Sequence, residues 1–310
     1  MFRAITDSAW LWAAIALSAT TSIGVSTLKW RDTLSGLGRP LSPRDLLHLE
    51  LATETVVRLA PFRFGEVAKI WVLATKYRVP ALVTAASVAI EIATNAGALV
   101  LLAISGQVAV GLRSPMAGLA ACTLLFTSAI FVSHAVLRRV SRAAGIASAK
   151  PNTPRKKLGT YAERASRIPR TLLARVAFLS VLIEFSEVVV VAMLCRAMSI
   201  DVPLPALVAL WPIAAIAGRL PISIGGIGVR DGALVALLPT LTAATYEQTL
   251  GVGLAFTMVG VLIPCLIGLP FTARLLSSMI DSKRSLNARD GDNAEARVIP
   301  TADASTPHRP

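Results

Sequence analysis

Charge is what this sequence has least of. Of its 310 residues only 16% are Asp, Glu, Lys or Arg, where a soluble domain carries about 25%. That leaves too little polar surface to face water on every side, and it excludes an ordinary soluble enzyme. Cysteine is scarce too. Cys122, Cys195 and Cys265 stand alone in apolar stretches without a C-x-x-C pair, so they read as small core residues rather than disulfides or ligands. His48, His134 and His308 are equally scattered, and neither a metal nor another cofactor is expected. Acids are the scarcer sign, 18 against 31 Lys and Arg, for a net charge of +13. In a soluble chain that excess would suggest nucleic acid. Here the basic residues sit in loops beside apolar spans, with no zinc spacing and no aromatic-interleaved basic sheet. The positive-inside rule therefore explains the charge, and no nucleic-acid partner is expected.

What is abundant is apolar length: 54% of residues are hydrophobic and the mean hydropathy is +0.65. Several runs reach about 20 residues, the length a bilayer requires. They are continuous rather than alternating, which selects helices over barrel strands. The expected fold is all-α, a polytopic helical membrane protein with five full spans at 8–28, 79–104, 115–137, 171–196 and 248–276. The first is not read as a signal peptide, because only Arg3 precedes it, Asp7 offsets that charge, and Lys29-Trp30-Arg31 anchors its end. A single membrane domain is expected over 1–280, with a disordered polar tail over 281–310.

Loop charge sets the orientation. Residues 138–175 hold eleven Lys or Arg against one acid, Glu163, which marks the loop 138–172 as cytoplasmic. Residues 29–44 and 274–284 are basic as well, whereas 106–114 has one Arg and 239–248 no basic residue. The consistent topology is N-terminus outside and C-terminus cytoplasmic, in the cell membrane.

Two further hydrophobic regions, 46–76 and 204–243, are interrupted by Pro and Gly. The first begins and ends beside cytoplasmic charge, which a simple crossing would violate, so a hairpin is expected. Proline lacks an amide donor and glycine permits helix-ending angles, so its turn belongs at Pro61 to Gly65. Arms of about 11–15 residues, roughly 16–22 Å, are too short for a bilayer core of about 30 Å. The second region breaks at Pro221 to Gly228 and is either a hairpin from the other side or two short tilted crossings, seven crossings in all. Both centres read Arg-Leu, then Pro within one residue, then Gly, then an acid. Each region is preceded and followed by a span of opposite orientation. Such paired breaks are the pattern of an inverted repeat with its site at the break. Chance similarity between the halves is the other reading.

Ionisable residues at membrane depth cost several kcal/mol, about 2.5–3.5 on insertion scales, and are functional candidates by default. Glu50, Glu54 and Arg58 recur every four residues and share a helix face. A salt-bridge ladder that closes the hairpin explains them as well as a polar path does. Arg63, Gly65, Glu66 and Lys69 lie at or just after the first break and favour substrate binding. In the second, Gly225-Gly226-Ile227-Gly228 opens a helix whose amides suit an anion, with Arg219 and Arg230 adding cations and Asp231 an acid. This is no nucleotide fingerprint, since the G-x-G-x-x-G order and a preceding strand are both missing. Close helix contact is the alternative role for those glycines. Glu184 with Glu187, and Glu91 with Asn95, share faces of two spans and either line a polar path or bond neighbouring helices.

The run Leu59-Ala60-Pro61-Phe62-Arg63-Phe64-Gly65-Glu66-Val67-Ala68-Lys69 resembles the lysylphosphatidylglycerol synthase transmembrane-region family of flippase-like proteins. So does Leu220-Pro221-Ile222-Ser223-Ile224-Gly225-Gly226-Ile227-Gly228-Val229-Arg230-Asp231-Gly232-Ala233-Leu234, and so does Lys29-Trp30-Arg31 with Gly38-Arg39-Pro40-Leu41-Ser42. The likeness covers about 11–276. It implies a lipid translocase or lipid-handling protein for anionic or modified-headgroup lipids: phospholipid, glycolipid, polyprenyl or hopanoid. On that resemblance Arg63, Gly65, Glu66 and Lys69 match the first motif. Pro221, Gly225, Gly226, Gly228, Arg230 and Asp231 match the second.

Three departures stand out. Asp231 takes a place where Glu is common. Thr257-Met258-Val259-Gly260 lacks the Arg often found in the last span. The family's usual helix ahead of the one reaching Lys29 is not seen, which accounts for the outside N-terminus or marks an incomplete start. No aminoacyl-transfer domain follows residue 276, so the chain is not expected to be the synthase, nor an enzyme at all. Two other classes remain open. One is an accessory subunit docking a cytoplasmic lipid-modifying enzyme through the basic loop. The other is an intramembrane transferase on a lipid phosphate, with Glu66 or Asp231 as its carboxylate.

Overall fold

A computed structural model of the chain describes residues 9–59, 64–111, 169–219 and 225–278. Among them the regular structure is helical, with no strand. The span expected at 115–137, the basic loop 138–168 and the tail 281–310 lie outside the described residues.

The first helix, α1 (Ala9–Gly36), runs for 28 residues. It does not stop at Lys29-Trp30-Arg31, as a membrane-edge anchor would. Instead Lys29 and Trp30 are each only 2% exposed, and Trp30 joins Leu34, Leu37, Leu46, Leu49, Val72, Leu73, Val79 and Val83 in an apolar core. The spacing of Trp30, Leu34 and Leu37 keeps one face apolar past the basic residues, so packing carries the helix on. It ends where Gly38 turns left-handed at φ 74° and the Arg39 amide bonds the Leu34 carbonyl.

The first broken region forms α2 (Pro43–Leu59) and α3 (Phe64–Thr75), which pack on each other as a hairpin's arms must. Pro43 opens α2, and Ser42 caps it by accepting the Asp45 amide at 3.1 Å. At 17 and 12 residues the arms are roughly 26 and 18 Å long, short of a bilayer core. The long α4 (Ala81–Val110) follows and stops at left-handed Gly111, φ 70°.

After the undescribed segment the order repeats. The long α5 (Arg170–Ala197) leads to a short pair, α6 (Leu204–Gly218) and α7 (Val229–Leu237), and then to α8 (Tyr246–Ser278). The helical spans of α4, α5 and α8 are each long and apolar enough to cross a membrane. Long, short, short, long therefore occurs twice, and the contacts repeat with it. α1 packs on α2 as α5 does on α6, and α3 packs on α4 as α7 does on α8.

Across the halves, each last long helix grips the other half's first short one. A Cβ on Gly106 of α4 would fall inside the backbone of Val208 and Ala209 in α6. There Pro212, lacking an amide, leaves the Val208 carbonyl without its helical donor. A Cβ on Gly268 of α8 would lie 2.7 Å from the Leu51 carbonyl and the Thr55 hydroxyl of α2. At that crossing Thr55 donates to the Cys265 carbonyl (2.9 Å) and Thr272 to the Ala52 carbonyl (2.6 Å). Glycine allows both backbones to approach this closely.

Candidate functional site

Residues flanking the two breaks meet. Gly225, at φ 60°, follows the second break, and a Cβ there would stand 3.1 Å from the carbonyl of Arg58, which precedes the first. Gly226 (φ 80°) and Gly228 (φ 84°) continue in conformations that L side chains rarely adopt. Facing them, α8 loosens into a π-helical turn at Met258–Leu262. Such bulges expose backbone groups and recur at functional sites.

Two arginines stitch this junction. Arg58 is paired to Glu54 at 2.5 Å on its own helix and also donates to the Gly260 carbonyl inside the π-turn. Arg230 donates to Asp231 at 3.0 Å, to the Thr257 hydroxyl at 2.6 Å and to the Gly225 carbonyl at 3.4 Å. Its guanidinium also lies 4.6 Å over the Phe256 ring. Thr257 and Gly260, the segment that carries no Arg of its own, are thus the acceptors for cations from α2 and α7. Asp231 completes the cap of α7 by accepting the Gly228 amide at 3.1 Å. One amide and one cation expected to greet an anion are therefore already engaged by Asp231, so here they shape the break.

Arg219, at the end of α6, bonds both oxygens of Glu184 at 2.8 and 2.7 Å, and the Glu184 side chain is fully buried. Glu187, half-buried one turn further along α5, makes no ion pair among the described residues.

In the first half a buried polar cluster, called the ring below, joins four helices. Lys69 of α3 lies 3.3 Å from Glu50 of α2 and 3.6 Å from Glu91 of α4, and 4.9 Å over the Trp30 ring of α1. Ser26 of α1 donates to Glu50 at 2.7 Å. One turn on, Lys29 donates to the amide oxygen of Asn95, one turn from Glu91. The ring is largely sealed, with the Glu50 and Lys69 side chains 6% and 4% exposed. Beyond it Asp32 of α1 pairs with Arg175 of α5 at 2.9 Å.

Most of the expected residues are thus brought together. Glu50, Lys69 and Glu91 share the ring, Arg58 and Glu54 flank the first break, and Arg219, Gly225, Gly226, Gly228, Arg230 and Asp231 frame the second. Gly65 and Glu66 fall in the first turn of α3. Arg63 and Pro221 lie outside the described residues. Lys29 and Ser26 were not among the expected residues. The continuing apolar spacing after Lys29 was the available signal that it points inward. No group of His, Cys, Asp and Glu suited to a metal ion occurs among the described residues.

A helical membrane protein whose two short, broken hairpins meet in an arginine-stitched junction is the class these features define. The chain belongs to the lysylphosphatidylglycerol synthase transmembrane-region family, whose model matches residues 2–268. It is thereby a multi-pass membrane protein of lipid metabolism and handling. No curated protein matches it.

Proposed function

We propose that the chain is a lipid translocase that carries the headgroup of an anionic or modified-headgroup lipid past the junction of the two breaks. The acyl chains stay in the bilayer. The observation that carries this reading is the meeting of Arg58, Gly225 and the π-turn, one segment from each hairpin and one from a long helix. Backbone without regular helical bonds is tolerated at membrane depth only inside protein or along a polar cavity. Twofold-related broken helices are a setting in which transporters bind their cargo. An anchor would need neither the junction nor a buried ionic ring, because unpaired or mismatched charge at that depth is costly. Arg63 and Glu66, at the first break, complete the binding groups, and Asp231 orients Arg230. The protein works in the cell membrane with its N-terminus outside and C-terminus cytoplasmic, and performs no covalent chemistry.

The test is lipid movement in proteoliposomes, following a fluorescent phospholipid with wild type, Glu66→Ala and Arg230→Ala protein inserted to equal levels. Movement by wild type and its loss in both variants is expected. Wild-type rates in both variants would refute a site at the breaks. A wild type that moves no lipid, yet captures a lipid-modifying enzyme only while residues 138–172 are intact, would replace translocation with the accessory-subunit reading.

A further inference from the structure

Four cations of the described interior, Arg58, Lys69, Arg219 and Arg230, each have a carboxylate at ion-pair distance. Lys29 does not. It is 2% exposed, and among the described residues its ammonium bonds only the amide oxygen of Asn95. An ammonium carries three N–H donors and a carboxamide two more on nitrogen. Lys29 spends one donor, and the Asn95 nitrogen none, among the described residues. The surrounding charges come from the helices packed nearby: Glu50 on α2, Lys69 on α3, Glu91 on α4, Glu184 on α5 and Arg219 after α6. The acids are already held elsewhere, Glu50 and Glu91 by Lys69 and Glu184 by Arg219. Lys29, Lys69 and Arg219 against Glu50, Glu91 and Glu184 sum formally to zero, so Lys29 offers unfilled donors in a balanced setting, with no carboxylate at ion-pair distance among the described residues.

We infer that Lys29 and Asn95 form an anion subsite that takes a phosphate oxygen. Neither residue was among the binding groups placed at the breaks. The subsite lies where α1 of the first half packs on α5 of the second, one turn from the Asp32–Arg175 pair. It is occluded in this structure, so binding there requires α1 to part from α4 or α5. Its carrier is a lipid phosphodiester or free phosphate. Only the choice of the lipid rests on the proposed function.

The test is the thermal unfolding of the full chain in neutral detergent. The midpoint is read against added phosphatidylglycerol, an uncharged glucosyl diacylglycerol and inorganic phosphate, for wild type, Lys29→Met and Lys29→Arg. Arginine keeps the charge and the donors. Phosphatidylglycerol is expected to stabilise wild type and Lys29→Arg alike, with Lys29→Met showing an apparent affinity about tenfold weaker. The glycolipid should act equally on all three, which separates lost binding from a damaged fold. A Lys29-dependent response to inorganic phosphate would assign the subsite to a free anion. Anion responses that ignore Lys29→Met, or that Lys29→Arg loses as fully, would overturn the inference. If binding depends on Lys29 while no lipid crosses in proteoliposomes, the subsite stands and translocation falls.

Discussion

The pair formed by Glu184 and Arg219 makes a sharp demand, because its members are buried unequally. The Glu184 side chain is 0% exposed and that of Arg219 29%. Arg219→Met leaves a carboxylate sealed among helices with its main partner gone, a loss of about 3–5 kcal/mol for a buried charge stripped of its counter-charge. Glu184→Gln keeps an oxygen to accept one bond, and it leaves a guanidinium that water partly reaches and that has other interactions in the fold. About 1–2 kcal/mol is the corresponding loss, that of a charged hydrogen bond whose remaining partner stays partly solvated. Removing both, as Glu184→Gln with Arg219→Met, strands neither charge. The double variant should then be more stable than the sum of the single losses by roughly 1–3 kcal/mol, the range for groups in direct contact. The assay is reversible unfolding in mixed detergent micelles, followed by circular dichroism over the four proteins. Equal losses in the two single variants, or a double loss equal to their sum, would refute the reasoning. The pair would then contribute by shape rather than by charge.

The glycine crossings make a paired prediction. Gly106→Ala and Gly268→Ala should each destabilise by about 1–3 kcal/mol through overpacking, while Gly24→Ala, which meets nothing within 4 Å, should be neutral or stabilising. Thermal midpoints in detergent decide it, and a Gly106→Ala protein as stable as wild type would show that α4 and α6 can part freely. At the junction, Arg230→Lys keeps the charge but cannot hold Asp231, Thr257 and the Gly225 carbonyl together, as the guanidinium fork does. Lipid movement should fall about tenfold, corresponding to roughly 1.4 kcal/mol, with insertion unchanged. Undiminished movement would mean that charge alone suffices there.

Much of the architecture was legible because it follows from periodicity and from breakers. The apolar runs located α4, α5 and α8 within a few residues. The cluster Gly225 to Gly228 located the second break, whereas Gly65, expected in the turn of the first hairpin, lies in the opening turn of α3 and Pro61 is outside the described residues. The arms came out short, as their lengths required. Pairing was legible only within a helix, where four-residue spacing put Glu54 beside Arg58. Glu50 obeys the same spacing yet pairs with Lys69 on the next helix, and Glu184 reaches Arg219 across 35 positions. Spacing fixes which face a charge occupies and says nothing of which helix comes to that face. Lys29 was misread as an anchor for the same reason, since a basic residue after an apolar run has the same local pattern whether it meets water or Asn95. Gly106 and Gly268 gave no signal at all. A single glycine in an apolar helix becomes meaningful only once its partner's backbone is known to lie against it.

The two halves repeat their order and their crossings, but not their chemistry, and the difference falls at the junction. Arg58 and Arg219 occupy corresponding places, each just before its break and each paired to a glutamate. Arg219 looks back to α5. Arg58 takes its acid from its own helix, which frees the rest of its guanidinium to reach the Gly260 carbonyl in α8. On the other side of the same π-turn, Arg230 holds Thr257. The glycine turn at Gly225 to Gly228 and the π-turn therefore converge on the end of α2, and Arg58 and Arg230 donate to the Gly260 and Gly225 carbonyls there. In a regular helix, movement breaks hydrogen bonds that have no substitute in lipid. At this junction each arginine already holds more than one acceptor, Arg58 two and Arg230 three. A scaffold that repeats its packing but not its arginine stitching is thus closest at Gly106 and Gly268 and is bonded by side chains where the ends of the two breaks approach.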